Sequence, residues 1–178
     1  SNLESIGCLS FRNGFGYYAD KNSSMNLSSC DAMDNINRAV SVTECSSAVV
    51  GPYFHSSGDA VGHAISDGSS SRLYDVSFTA SGQDAANGIA GSVLTTTTNS
   101  NTNVAGCSIG SYGGNAIEVI YNSIIIGNEI VISGTGTLDE INSTYGSIVR
   151  CSASTINTSR LYKEALKTGY IEINGVEF

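Results

Sequence analysis

The sequence predicts an all-β protein, a right-handed parallel β-helix with a small C-terminal cap. The first observation is a unit of a turn residue, a small residue and a large apolar residue, with the small residue at positions 39, 64, 88 and 116. A repeat of 20–50 residues is typical of solenoids. The second observation is that Thr, Ser, Val, Ile, Asn and Gly dominate the middle of the chain, which favours strands and turns over helices. The four copies are Arg38-Ala39-Val40, His63-Ala64-Ile65, Asn87-Gly88-Ile89 and Asn115-Ala116-Ile117.

The strand-like pieces of each repeat are too short to bury their apolar side chains alone. Stacking successive copies buries them in a continuous core, and three or more copies are needed for stability. His63 is interpreted as a turn residue because it precedes the small residue as Asn87 and Asn115 do. Four consecutive threonines at 95–98 are interpreted as a loop that lengthens one repeat. The interior stack predicted from the four units consists of Val40, Ile65, Ile89 and Ile117.

Two other architectures compete with this interpretation. A helical solenoid needs segments of about 10 or more residues with a period of 3.6, and the chain offers one such segment, residues 158–167, which Gly169 would end. A two-sheet sandwich needs turn signals every 8–12 residues, which the chain also has. The recurrence of the repeated unit favours the parallel β-helix.

The domain organisation follows from a change of pattern after residue 133. Residues 1–135 are assigned to the β-helix, and residues 136–178 to a capping and oligomerisation segment with one short helix at 158–167 and terminal strands. Residues 148–151 are predicted as a strand, and Asn174-Gly175 as a tight turn between two strands. A cap is expected because an open solenoid end pairs with other chains. The chain starts inside an apparent repeat, so we expect it to be a piece of a longer protein.

Composition and charge exclude several classes of function. The net charge of −8 disfavours nucleic acid, whose phosphates need clustered Lys and Arg. No run of 18 apolar residues exists, so no membrane insertion is expected. The five cysteines show no CxxC or CxxH spacing, which argues against a metal site, and they are interpreted as reduced core residues. No cofactor is predicted.

Aromatic side chains are the candidates for binding sugars. Tyr53, Phe54 and His55 follow the single proline in a long connection between repeats, and loops on a rigid scaffold often carry function. Tyr18 belongs to a strand-like pair in which one ring must point outward. Tyr112 lies in a glycine-rich turn and is expected to be exposed. The alternative for the loop aromatics is that they fold back onto the core.

Carboxylates are the candidates for catalysis. Glycoside hydrolysis uses two of them at about 5–9.5 Å, and side chains on neighbouring coils, about 4.8 Å apart, reach that separation. The candidates are Asp59, Asp67, Asp84 and Glu118. Glu118 is expected to point outward beside Ala90 and Ser66 of earlier repeats, neither of which is acidic. The alternative for the aspartates is a role in turns, because each lies within two residues of Gly or Ser.

The chain resembles the parallel β-helix tailspike and tail-fibre proteins of bacteriophages. The resemblance covers about residues 3–132 and is carried by Asn87-Gly88-Ile89, Asn115-Ala116-Ile117, the Ser/Asn/Gly-rich turns, the reduced cysteines and the C-terminal strand element. It implies a homotrimer on the virion tail, assembled in the host cytoplasm, that recognises a bacterial surface polysaccharide and often cleaves it. The chain differs from the pectate-lyase branch because no Asp cluster lies near a catalytic Arg, and no catalytic carboxylate of the family carries over to a residue here.

Four functions therefore stay open at this point. The leading one is a receptor-binding fragment of a phage tailspike or tail fibre that binds host polysaccharide. The second is a depolymerase, an endoglycosidase or lyase acting through carboxylates on the β-helix face. The third is a structural tip that holds three chains together, and the fourth is a secreted bacterial adhesin at the cell surface.

Overall fold

The described residues form strands and turns, without a helix. The computed structural model describes residues 1–79, 83–84, 89–110, 112–134, 139–156, 161–163 and 169–178. In chain order the strands are β1 Asn2–Ile6, β2 Leu9–Phe11, β3 Phe15–Ala19, β4 Ser24–Ser28, β5 Asp31–Met33, β6 Arg38–Val42, β7 Ser47–Val50, β8 Phe54–Ser57, β9 His63–Ile65, β10 Ser70–Thr79, β11 Gln83–Asp84, β12 Ile89–Ala90, β13 Leu94–Thr97, β14 Asn101–Ile109, β15 Ile117–Ile120, β16 Ile124–Ile132, β17 Ile141–Ser143, β18 Ile148–Ser152, β19 Leu161–Lys163, β20 Tyr170–Ile173 and β21 Val176–Glu177.

The strands wind into a parallel β-solenoid of about six turns, as predicted. Its first face is the ladder β1-β4-β7-β10-β14-β16-β18-β20. The second face contains β2, β5 and β8 and continues in the C-terminal halves of the long strands β10, β14 and β16. The third face is the ladder β3-β6-β9-β13-β15-β17-β19. Among the described strands, only the pairs β11–β12 and β20–β21 are antiparallel.

The interior of the third face shows that the predicted stack was partly wrong. Val40 pairs with His63, which pairs with Leu94, which pairs with Ile117. Ile65 lies two residues along, so the predicted unit was misaligned by two residues. Because side chains alternate with a period of two, this shift keeps the residue on the same side of the sheet, and Ile65 is still buried.

Three further expectations about this region were wrong. His63 is a buried member of the third-face stack and not a turn residue. Ile89 lies in β12, which among the described strands pairs with β11 in a separate two-stranded sheet, outside the solenoid ladder. The threonines at 95–97 are part of strand β13, so they are not a loop. The extra length instead lies between β10 and β13, where the partners His63 and Leu94 are 31 residues apart, compared with 23 for Val40 and His63.

The corner between the third and first faces carries a repeat that the sequence analysis missed. At each of six turns, two residues with φ between 52° and 76° are followed by a serine. The serine Oγ accepts a hydrogen bond from the backbone N–H of the serine one coil earlier, at 3.1–3.3 Å for five successive pairs. We call this the serine corner. Its copies are Lys21-Asn22-Ser23, Glu44-Cys45-Ser46, Asp67-Gly68-Ser69, Thr98-Asn99-Ser100, Tyr121-Asn122-Ser123 and Tyr145-Gly146-Ser147.

Substituting a corner serine is expected to destabilise the solenoid. Ser69→Ala removes the acceptor for the Ser46 N–H, at 3.1 Å, and leaves that buried donor unpaired. An unsatisfied buried donor costs about 1–3 kcal/mol. Chemical denaturation should show this loss, whereas Ser108→Ala, on the exposed side of β14, should stay within about 0.5 kcal/mol of the parent protein. Equal stability of the two variants would contradict a structural role for the corner.

The parallel ladder continues beyond the predicted boundary at residue 135. Strand β18 confirms the strand predicted at 148–151. The helix predicted at 158–167 is wrong at Leu161–Lys163, which form β19, and its other residues lie outside the described part of the chain. Leu161 pairs with Ile141 and packs against the core, and these tertiary contacts outweigh local helix propensity.

The tight turn predicted at Asn174-Gly175 is confirmed. Both residues have positive φ, 52° and 80°, and the turn joins β20 to β21 in an antiparallel hairpin. Positive φ at both central positions is what a type I′ hairpin turn requires. Phe178, just after this hairpin, packs against the core. That residues 136–178 act as a cap remains a prediction.

Candidate functional site

The aromatic cluster predicted at residues 53–55 does not form one surface. Tyr53 is 76% exposed, but Phe54 is buried, with its ring centroid 6.1 Å from that of Tyr17 and 6.4 Å from that of Phe78. Strand alternation turns Phe54 into the core, so a ligand cannot reach it and its predicted role in binding is wrong. His55 is half-buried, and its Nδ1 lies 2.8 Å from Ser77 Oγ on the next coil.

Tyr112 was predicted to be exposed because it lies in a glycine-rich turn, and this prediction is also wrong. Its side chain is 1% exposed and belongs to the hydrophobic core. The segment that follows, residues 113–117, is buried as well. A tyrosine ring has a large apolar area to remove from water, and this gain outweighs the usual exposure of turns. Tyr112 therefore cannot contact a polymer.

Asp59 is buried in the corner that follows the second face. Its Oδ1 accepts hydrogen bonds from the Asn35 backbone N–H at 2.8 Å and from Asn35 Nδ2 at 2.6 Å, and its Oδ2 accepts one from Ser56 Oγ at 2.7 Å. Desolvation by burial raises the pKa of this carboxyl, and the hydrogen bonds act in the opposite direction. With no accessible surface, Asp59 joins two coils and cannot reach a sugar.

Glu118 has contacts of its own and does not pair with Asp59. Glu118 lies on the third face, half-buried, 3.0 Å from Ser92 Oγ and 3.5 Å from the Nδ2 atoms of Asn115 and Asn142. Its neighbours on adjacent coils are Thr95 and Asn142, not the predicted Ala90 and Ser66. Asp84 is in β11, and its side chain lies outside the described part of the structure.

Two of the predicted residues, Tyr18 and Asp67, do lie in one depression. It is an open groove of about 570 Å³ on the outside of the third face, at the N-terminal coils. We call it the third-face groove. It is lined by Phe15, Tyr18, Ile36, Asn37, Arg38, Thr43, Ala60, Val61, Ser66, Asp67 and Gly91.

An aromatic pair forms one wall of the third-face groove. The ring centroids of Phe15 and Tyr18 are 5.2 Å apart with the planes tilted by 35°. The two side chains are 42% and 46% exposed, so their faces are open to a ligand. Beside them, Arg38 Nη1 donates a hydrogen bond to Ser41 Oγ at 3.0 Å, which fixes the guanidinium against the buried hydroxyl.

A carboxylate held by hydroxyl groups also lines the groove. Asp67 Oδ2 accepts hydrogen bonds from Thr43 Oγ1 and from Ser66 Oγ, both at 2.9 Å. Ser66 Oγ also lies 3.2 Å from Thr43 Oγ1. From Arg38 to Thr43 the strand advances about 16 Å, at about 3.3 Å per residue. The groove is therefore long. The Arg38 guanidinium and Tyr18 both lie at Ser41, and the carboxylate of Asp67 lies further along, at Thr43.

Sequence reasoning missed Phe15, Arg38, Thr43 and Ser66 as site residues. The serine corner carries the signal that finds two of them, because aligning its copies places Thr43 and Ser66 side by side, each immediately before its corner. Phe15 and Arg38 are paired across β3 and β6 in the same ladder. The repeated unit used for the prediction was offset by two residues at His63, so it did not bring these positions together.

The described residues contain no metal-binding cluster, disulfide or membrane-spanning helix. Within them, no group of three or more His, Cys, Asp or Glu is placed to hold a metal ion. All five cysteines are free, with Cys30, Cys107 and Cys151 buried and Cys8 and Cys45 exposed. A search of the same residues for a helix long and apolar enough to cross a bilayer found none.

Comparison with known proteins adds no assignment to this geometry. The chain matches no protein-family model, and neither the curated proteins nor the solved structures contain a significant match to it.

Proposed function

We propose that this protein is a polysaccharide-binding module that holds its ligand in the third-face groove. The observation that carries the proposal is the exposed Phe15–Tyr18 pair at 5.2 Å, placed in one groove with Arg38 and the hydroxyl-bound Asp67. Aromatic faces pack against the C–H faces of sugar rings, and charged and hydroxyl groups fix sugar hydroxyls by hydrogen bonds. An extended groove of this kind fits a chain polymer better than a compact small molecule.

The scaffold suits this task because it is rigid before binding. The strands beneath the groove, β3, β6 and β9, are hydrogen-bonded to one another along the ladder. Binding to a preformed surface avoids much of the entropic cost of ordering loops. The weak contacts made by successive sugars of one polymer then combine into a higher overall affinity.

Binding is favoured over cleavage by the placement of the carboxylates. Hydrolysis needs two of them flanking the scissile bond. Among the described residues that line the groove, Asp67 is the one carboxylate, while Asp59 is inaccessible and Glu118 contacts its own neighbours. The depolymerase alternative is tested by incubating the protein with each polymer it binds and measuring new reducing ends, which a pure binding module does not produce.

The biological setting is a second part of the proposal. We propose that the module is a fragment of a bacteriophage tailspike or tail fibre, that it acts as a homotrimer on the virion, and that its ligand is a bacterial surface polysaccharide. The support is the resemblance of its irregular, Ser/Asn/Gly-rich coils to that family. Light scattering separates this trimer from the monomer expected of an adhesin. A detergent-resistant trimer without glycan affinity would favour the structural tip.

Removing one ring of the aromatic pair tests the binding function. Tyr18→Ala should lower the affinity for a bound bacterial polysaccharide about tenfold or more, as loss of a central aromatic contact does at other interfaces. Tyr121→Ala is the matched control, because Tyr121 is 50% exposed and pairs with Tyr145 at 4.9 Å but lies outside the groove. Calorimetric titration of both variants measures the difference.

Two results would count against the groove as the binding site. One is an equal loss of affinity in Tyr18→Ala and Tyr121→Ala. The other is the failure of the parent protein to bind any member of a broad panel of purified capsular and O-antigen polysaccharides.

A further inference from the structure

The arginine in the third-face groove has no acidic partner within the described part of the protein. Two other arginines do form ion pairs there, Arg12 with Asp34 at 3.9 Å and Arg150 with Glu172 at 3.3 Å. In a chain with a net charge of −8, acidic side chains are abundant. Arg38 and Arg72 have no such partner among the described residues, and Arg38 is the one of these two that lines the third-face groove.

The surroundings of Arg38 hold its charge in place for a ligand. The side chain is half-buried, and its Nη1 donates to the hydroxyl of Ser41, which is fully buried under the groove. A guanidinium has five N–H donors in a planar fork, so this one bond leaves others to face the groove. Partial burial beside Phe15 and Ile36 also weakens screening by water and strengthens a contact with an anion.

Asp67 does not form an ion pair with this cation. Of the ion pairs among the described residues, none joins Arg38 to Asp67, whose Oδ2 instead accepts hydrogen bonds from Thr43 Oγ1 and Ser66 Oγ at 2.9 Å. The Arg38 guanidinium and the Asp67 carboxylate are therefore each oriented by hydroxyl groups and not by each other.

We infer that the polymer bound in the third-face groove is an acidic polysaccharide, and that Arg38 binds an oxyanion on one of its sugars. The inference rests on the proposed function. A guanidinium fork matches the two oxygens of a carboxylate, as in a uronic acid, and also those of a phosphate or sulfate ester. The Phe15 and Tyr18 rings next to it receive the apolar face of the same or the adjacent sugar.

The test measures affinity for purified neutral and acidic bacterial polysaccharides. The polymers that bind should be acidic, their affinity should fall as salt is raised, and Arg38→Gln should weaken binding about tenfold, the usual effect of losing one charge-assisted hydrogen bond. Arg72→Gln is the matched control, because Arg72 also has no acidic partner among the described residues and lies on the first face, outside this groove. The affinity of Arg72→Gln for the acidic polymers should equal that of the parent protein.

Carboxyl reduction identifies the oxyanion. Converting the uronic acids of a bound polymer to neutral sugars keeps the linkages and should remove the difference between parent protein and Arg38→Gln. If the difference survives reduction, the oxyanion is a phosphate or sulfate ester, which still supports an acidic ligand. Should Arg38→Gln fail to fold in a thermal melt, Arg38→Lys keeps the charge without the planar fork and is expected to bind more weakly than the parent.

The outcomes separate this inference from the function on which it rests. Tyr18-dependent binding of neutral polymers with no effect of Arg38→Gln would overturn the acidic ligand and leave the binding module in place. If acidic polymers bind equally well to the parent protein and to Arg38→Gln, the role of Arg38 is likewise overturned and the binding module is retained. If no polymer binds, or if binding does not depend on Tyr18, both proposals fall.

Discussion

Ile117→Asp is expected to unfold the protein. Ile117 has no exposed surface and lies in the middle of the third-face stack, between Leu94 on one coil and Ile141 on the next. An aspartate there places an unpaired charge among aliphatic side chains, and such substitutions destabilise by more than about 4 kcal/mol. That is a large fraction of the roughly 5–15 kcal/mol that stabilises a typical domain. Circular dichroism should show loss of the strand signal or a strongly lowered melting temperature.

The matched control is the same change at an exposed isoleucine. Ile126 is 51% exposed on the outer side of β16, next to Arg150 on the following coil. Ile126→Asp should change stability by less than about 1 kcal/mol, because surface substitutions away from special features have small effects. Similar melting of Ile117→Asp and the parent protein would show that the stack on which the fold depends is not as described.

The fold class could be predicted from the sequence because solenoid periodicity survives small errors of alignment. The unit His63-Ala64-Ile65 was aligned two residues out of register. Because side chains in a strand alternate with a period of two, Ile65 was still correctly predicted to be buried. For the same reason, the pattern of buried residues alone did not reveal the true register. The serine corner fixes it without ambiguity, because its hydrogen bonds join equivalent serines such as Ser46 and Ser69 directly.

The site could be predicted only where exposure follows from local pattern. Tyr18 and Asp67 were named from the sequence and lie in the third-face groove. Phe54 and Tyr112 were named for their turn-like surroundings, but both rings are large enough to be drawn into a narrow core. Arg38 could not be identified, because its importance depends on its having no ion-pair partner among the described residues, and that is a property of the folded chain.

The interior of the solenoid also contains a buried histidine that should make the protein sensitive to acid. His63 is 1% exposed and lies between Val40 and Leu94 in the third-face stack. Its Nε2 is 2.9 Å from Ser71 Oγ, and its Nδ1 has no hydrogen-bond partner among the described residues. With no carboxylate bonded to the ring, burial lowers the pKa of His63 from 6.5 to about 4.

The sign of the effect follows from which state binds the proton. Between pH 6.5 and about 4 the unfolded chain protonates this imidazole and the folded chain does not. The free energy of unfolding therefore decreases as the pH falls through this window, and the stability that the neutral His63 imidazole contributes at pH 7 is lost. A shift from 6.5 to about 4 corresponds to about 3 kcal/mol. Below pH 4 both states carry the proton and this contribution no longer changes.

His63→Leu isolates the histidine from the other groups that titrate in acid. Leucine resembles Val40 and Leu94, its neighbours in the stack, and Ser71 Oγ keeps its 3.4 Å contact with Thr102 Oγ1. Urea denaturation at pH 7 and at pH 4 measures how much the free energy of unfolding falls between them. This fall should be about 3 kcal/mol smaller in His63→Leu than in the parent protein. Asp59, whose pKa is raised by burial, acts with the opposite sign because its folded form holds the proton more tightly, but it is present in both proteins and cancels in the comparison. An identical pH dependence in the parent and in His63→Leu would mean that the imidazole is protonated inside the folded solenoid, which a stack of aliphatic neighbours should not permit.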